Sequence, residues 1–160
     1  LMWWRELCFT ALYSGYVPIA PGTAGTVIGM AVYLVEVALL GRWAWAANLA
    51  IVVLGIYPAI KLCDAAEHFY NRKDPQEVVL DEVFGYWISV LFMPFSWKAA
   101  IAAFFLFRVI DMAKPYPVNK LQNLHGGLGV MIDDCISGVY ANLIIVAATV
   151  VFHITGWHVL

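Results

Sequence analysis

Four short stretches of the chain gather residues able to hold a cation or grip an anion. Asp81-Glu82 opens one apolar run and Asp133-Asp134 opens another. Adjacent carboxylates repel each other, and an unpaired one at the edge of apolar sequence is costly. A bound cation offsets both, and the hard oxygens of Asp81, Glu82, Asp133 and Asp134 suit Mg²⁺ or Mn²⁺. In Arg108-Val109-Ile110-Asp111-Met112-Ala113-Lys114-Pro115, Arg108 and Asp111 share a helical face and Pro115 ends the helix. Arginine suits bidentate phosphate binding and lysine a point contact. Pro21-Gly22-Thr23-Ala24-Gly25-Thr26 reads as a helix start whose free N–H groups favour an anion. There Thr23 or Thr26 can cap, and Gly22 and Gly25 let backbone approach a ligand. Each stretch also has a plain reading. The acids can complement helix dipoles, Arg108 and Asp111 can be a surface pair, and Gly25-xxx-Gly29 can serve helix packing. Asp74 and Glu77 fit a capped helix start ahead of Asp81. Taken together, the four stretches hold the parts for metal-assisted phosphoryl chemistry on a lipid headgroup.

The elements that must position these residues are unusually apolar. The 160 residues are 63% hydrophobic and 12% charged, with mean hydropathy +0.80. A soluble domain is about 45–50% apolar and about 25% charged. One domain over residues 1–160 is expected, with a bilayer as its solvent. The net charge of −2 gives no support to nucleic-acid binding. Trp43–Ile60 and Cys135–Phe152 are uncharged runs of 18 residues, and Gly25–Leu40 carries only Glu36. Val83–Phe107 is too long for one simple span and is interrupted at Pro94, so it reads as two short helices in a hairpin. With a tight turn at Gly41-Arg42, residues 1–24, 61–82 and 108–134 then share one side. That side holds Arg5, Lys61, Arg72, Lys73, Arg108, Lys114 and Lys120, against Arg42 and Lys98 on the other. The positive-inside rule makes the loaded side cytoplasmic. A single tilted span over Val83–Phe107 would instead split the charged loops between two faces. Trp3, Trp4, Leu7, Cys8, Ala11 and Leu12 lie at helical spacing, which suits either an interfacial helix or a core helix. The expected fold is an all-α, polytopic membrane bundle of about four to five membrane helices plus that N-terminal helix. Cys8, Cys63 and Cys135 show no metal or redox spacing, and Leu1–Ser14 does not read as a cleavable signal.

The residue order is specific. Pro18–Thr26 reads Pro-x-Ala-Pro-Gly-Thr-x-Gly-Thr, and Asp74–Val83 reads Asp-Pro-x-Glu-Val-Val-x-Asp-Glu-Val. Phe107–Pro117 reads Phe-Arg-x-x-Asp-x-x-Lys-Pro-x-Pro, and Gly127–Asp134 reads Gly-x-Gly-Val-Met-x-Asp-Asp. From about Gly15 to about Asn142 the chain closely resembles bacterial phosphatidylglycerophosphatase A. The resemblance implies an all-helical, Mg²⁺-dependent phosphatase of the bacterial inner membrane, acting on a phospholipid held in that membrane. It would convert phosphatidylglycerophosphate to phosphatidylglycerol and phosphate. The family's acidic positions fall on Asp81, Glu82, Asp133 and Asp134, expected to hold metal. Its basic motif falls on Arg108, Asp111 and Lys114, and its glycine-rich motif on Gly22, Thr23, Gly25 and Thr26. Thr26 stands where many members have Ser. Asp81, Asp133, Asp134, Arg108 and Lys114 are the expected catalytic set, with Gly22, Thr23, Gly25, Thr26, Arg108 and Lys114 on the substrate. The expected nucleophile is a metal-activated water, with a carboxylate as the alternative. No Cys-x₅-Arg or Asp-x-Asp signature of other phosphatases is present. His125 reads as a loop residue or, alternatively, a proton donor. Glu36, an acid inside a span that could tilt toward Arg42, motivates the competing reading of a small transporter or ion-binding protein.

Overall fold

The computed structural model describes residues 3–121 and 124–155, with backbone alone for 152–155. It holds helices α1 (Trp3–Phe9), α2 (Pro21–Leu40), α3 (Ala44–Tyr70), α4 (Leu80–Ser89), α5 (Trp97–Ala113), α6 (Val118–Leu121) and α7 (Gly127–Thr155). No strand occurs among the described residues. The α2–α3 stretch, Pro21–Tyr70, and Gly127–Val151 of α7 are long and apolar enough to cross a membrane.

The boundaries follow local chemistry. α2 begins at Pro21, whose fixed φ suits the first helical position. The residue before it, Ala20, is left-handed (φ 53°), and no side chain caps the helix. Thr23 and Thr26 therefore lie inside α2 and neither is the cap expected of them. Thr26 instead donates its hydroxyl to Gly22 O at 2.9 Å. Gly41, at φ 52°, begins one 3₁₀ turn that reverses the chain into α3. α3 continues past its last apolar run to Tyr70, so Asp64 and Glu67, which read as a helix end, lie on its final turns. Ala59, Cys63 and Ala66 keep a buried edge at helical spacing past the last apolar run. The connecting loop is residues 71–79 only.

Val83–Phe107 proves to be two helices rather than one tilted span. α4, at ten residues, is about 15 Å long, half of a bilayer core. Serine 96 caps α5 through a bond from Ala99 N. Glu82 Oε1 and Arg108 Nη1 lie 3.9 Å apart, so the pair runs out and back.

α4 forms the buried centre. Every residue from Val83 to Ser89 is buried. Backbones close on it from two sides. A methyl at Gly138 of α7 would meet Gly85 O at 2.3 Å, and one at Gly25 of α2 would meet Val79 Cβ at 2.6 Å. The Gly25-xxx-Gly29 seam is thus a packing surface against the start of α4. A helix ending inside apolar surroundings leaves carbonyls that water cannot reach. Asn48 donates to Trp87 O at 3.0 Å, and Asn142 to Ser89 O and Leu91 O at 3.1 and 2.8 Å.

The N-terminal helix is shorter than its spacing suggested: it ends at Phe9, and Ala11 and Leu12 have left-handed backbone (φ 44° and 60°). Phe9 is buried against the rings of Phe69 and Tyr70 on α3, while Trp3 and Trp4 point outward.

Candidate active site

The bundle brings the first turns of α2 and α4, the second turn of α7 and the last turn of α5 to one cleft of about 530 Å³. Its wall includes Gly22, Asp81, Glu82, Arg108, Lys114, Asp133 and Asp134. Residues more than 100 positions apart in the sequence therefore share one surface.

Asp81, Glu82 and Asp134 converge, each offering a carboxylate oxygen within 4.8 Å of the others. Asp81 Oδ1, Glu82 Oε2 and Asp134 Oδ2 are buried and accept no hydrogen bond. Buried oxygens without donors, gathered from two helices, are what a hard cation would complete. Burial pushes the Asp81 carboxyl well above the usual carboxylate range, and the charges of Glu82 and Asp134 add to the rise. Asp133 stands apart from this trio. Neighbouring residues on a helix point about 100° apart, and Asp133 Oδ2 meets Lys114 Nζ at 2.5 Å. Burial alone would lower the Lys114 ammonium, but its bond to Asp133 and the nearby acids carry it above the usual lysine value. Lys114 reaches this place because it caps α5 in the left-handed region, φ 42°, just before Pro115.

Arg108 lies between the acids. Its Nη1 approaches Asp111 Oδ2 at 2.9 Å, the expected same-face pair. Its Nε and Nη1 nonetheless make no aligned hydrogen bond, so donors remain to meet a phosphoryl group. Gly22 is the close approach in the cleft. A Cβ there would fall 2.2 Å from Glu82 Oε1 and 3.1 Å from an Arg108 nitrogen. Thr23, Gly25 and Thr26 are not on the cleft wall: Thr26 is fully buried and Gly25 faces Val79. His125 is exposed in the turn before α7 and does not line the cleft. Glu36 lies elsewhere, buried on α2 with both oxygens unpartnered. The expected tilt toward Arg42 is absent; Arg42 stacks on Trp43 instead.

Three acids acquire roles that spacing did not reveal. Asp64 Oδ1 accepts from Gly127 N at 3.2 Å and so anchors the start of α7. Glu67 Oε1 accepts from Asp74 N at 2.9 Å. Asp74 does not cap a helix, because α4 starts six residues later at Leu80 without a side-chain cap; it lines the cleft. Asp74 is exposed at the cleft rim; partial desolvation against the wall and the charge of Asp133 raise its carboxyl, with Lys114 opposing. The only sequence signal for Asp74 was its place at the head of a motif.

An acidic trio facing two basic side chains, in a chain with long apolar helices, defines a membrane protein with a candidate metal centre beside an anion site. The chain matches the phosphatidylglycerophosphatase A family over residues 7–149. It is 35% identical over 128 residues to phosphatidylglycerophosphatase A of Escherichia coli, covering 79% of this chain and 72% of that one. To the Haemophilus influenzae protein of the same name it is 34% identical over 137 residues, covering 84% and 82%. A Bacteroides thetaiotaomicron protein, provisionally named phosphatidylinositol-3-phosphatase, is 39% identical over 145 residues, covering 87% and 89%. No solved structure matches the chain. The chain belongs to the phosphatidylglycerophosphatase A family.

Proposed function

We propose that this protein hydrolyses the terminal phosphomonoester of phosphatidylglycerophosphate, giving phosphatidylglycerol and inorganic phosphate. It would do so as a multi-pass protein of the bacterial inner membrane, with its cleft at the cytoplasmic face and Mg²⁺ as cofactor. The observation that carries the reading is the composition of the cleft wall. Asp74, Asp81, Glu82, Asp111, Asp133 and Asp134 face only Arg108 and Lys114. A phosphate cannot enter so acidic a cleft unless a cation accompanies it.

Asp81, Glu82 and Asp134 would hold that cation, with Asp133 beside them. When bound, a divalent cation supplies Lewis acidity toward the phosphoryl oxygens and neutralises the trio. Arg108 and Lys114 grip the remaining phosphoryl oxygens, and Asp111 and Asp133 hold those two side chains in place. The N-terminus of α2, closed against Glu82 and Arg108 at Gly22, lines the same wall. Water attacks phosphorus in line, the bond between phosphorus and the glycerol oxygen breaks, and a proton given up by the water ends on that oxygen, so phosphatidylglycerol and inorganic phosphate leave. Inversion of configuration at a chiral phosphorus would agree with this; retention would point to a carboxylate nucleophile and a covalent intermediate.

The deciding assay is phosphate release from phosphatidylglycerophosphate by the purified protein in mixed micelles, with Mg²⁺ and with EDTA. Release that EDTA stops and Mg²⁺ restores is expected. Absence of any metal-dependent release removes the reading.

A further inference from the structure

One carboxylate on the cleft wall belongs neither to the trio nor to an ion pair. Asp74 lies in the loop between α3 and α4, with its backbone in the left-handed region at φ 48°. Few non-glycine residues adopt that conformation, though aspartate tolerates it better than most. The Glu67 carboxylate fixes it there by accepting the Asp74 N–H at 2.9 Å. The side chain lines the cleft, within electrostatic reach of Asp133, Lys114 and Asp111. It makes no ion pair among the described residues, and Lys114, the ammonium whose charge acts on it, is already bonded to Asp133. A carboxylate on a phosphate-binding wall repels the ligand unless the ligand also brings a donor.

The substrate in the reading above, on which this inference rests, brings one. Its headgroup glycerol carries a free hydroxyl on the carbon next to the one that bears the terminal phosphate. We infer that Asp74 accepts a hydrogen bond from that hydroxyl and so selects polyol phosphomonoesters. Phosphatidic acid, whose phosphate sits on a fully acylated glycerol, offers no such donor. Asp74 is thus a specificity residue, and the trio with Arg108 and Lys114 serves the phosphate itself. Glu67, near the end of α3, holds the loop backbone that carries it.

The test compares kcat/KM for phosphatidylglycerophosphate with that for its analogue lacking the headgroup hydroxyl, in wild type, Asp74→Gly and Asp74→Asn. Glycine keeps the left-handed backbone while removing the carboxylate. Asparagine keeps both the backbone and a carbonyl acceptor. The wild type is expected to prefer the hydroxyl-bearing lipid. Asp74→Gly should shrink that preference by about 10- to 100-fold, the value of a hydrogen bond to a charged group, and Asp74→Asn should restore part of it. A preference unchanged in Asp74→Gly, or a wild type that turns over both lipids equally, overturns the inference while the phosphatase reading stands. A wild type that releases phosphate from neither lipid overturns both.

Discussion

The Asp133-Asp134 pair divides its labour, whereas Asp81 and Glu82, just as adjacent on α4, converge on one spot. Asp134 turns into the trio with Asp81 and Glu82, while Asp133 turns onto Lys114. The sequence made all four visible, since paired carboxylates opening apolar runs are hard to explain otherwise. It could not assign their directions, which depend on how α4 and α7 are rotated against each other. Asp64, Glu67 and Asp74 were not legible at all as a set. Their roles are contacts between loop, α3 and α7, and no spacing along the chain encodes them. The geometry makes a prediction for each pair. Asp81→Asn should lower turnover by about 100-fold or more through the loss of a cation ligand. Asp133→Asn should do so as well, by freeing Lys114 from its position. In Asp81→Asn the melting temperature of the cation-free protein should equal or exceed that of wild type, because one charge leaves a crowded trio. Phosphate-release kinetics alongside thermal unfolding in detergent separate the two effects. Near-normal turnover in either variant takes that residue out of the site.

Among the elements, α4 is the one on which the site depends. It is too short to cross a bilayer and presents Asp81 and Glu82 from its first turn while its far end stops among apolar side chains. The interruption at Pro94 was the readable sign of that stop. The devices that make it possible were not readable, because Asn48 and Asn142 sit singly within α3 and α7. Only the packed structure shows their amides bonded to Trp87, Ser89 and Leu91 carbonyls. The same packing explains why α3 ran past its apolar stretch: its buried small-residue edge continues to Ala66 beneath a polar outer face. Asn142→Leu would leave two buried carbonyls without donors. Each such loss costs about 1–3 kcal/mol, so unfolding by heat or denaturant should show a loss of about 2–6 kcal/mol. Asn142→Leu with wild-type stability would mean that water or a shifted α4 meets those carbonyls. Gly138→Val should be as damaging, because a side chain there would strike Gly85 O.

For the molecule as a whole, scarcity of charge and crowding of charge are one design. A chain with 12% charged residues draws six acids and two bases into a single cleft. It does so by returning α3 and α5 to the side where α2, α4 and α7 begin. The N-termini of α2 and α4 then offset part of the negative charge, each worth only about 0.3–1 kcal/mol at an exposed site. They do not neutralise the cleft, so the folded chain carries electrostatic strain that a bound cation would relieve. The Asp81 and Asp74 carboxyls lie above their ordinary values. Groups raised in this way favour the folded state most below the ordinary carboxylate range, and that contribution is lost as pH rises through their folded values. The chelated protein should therefore melt at a lower temperature at about pH 8 than at about pH 5. Mg²⁺ should narrow the gap, with its stabilisation larger at the higher pH, because cation and protons compete for the same oxygens. At a hundred times its dissociation constant, a cation would add about 2.7 kcal/mol. Melting curves with Mg²⁺ and with EDTA at both pH values test this directly. Curves that coincide with and without the chelator would mean that the trio is neutralised by shared protons alone, and that the cleft holds no cation of its own.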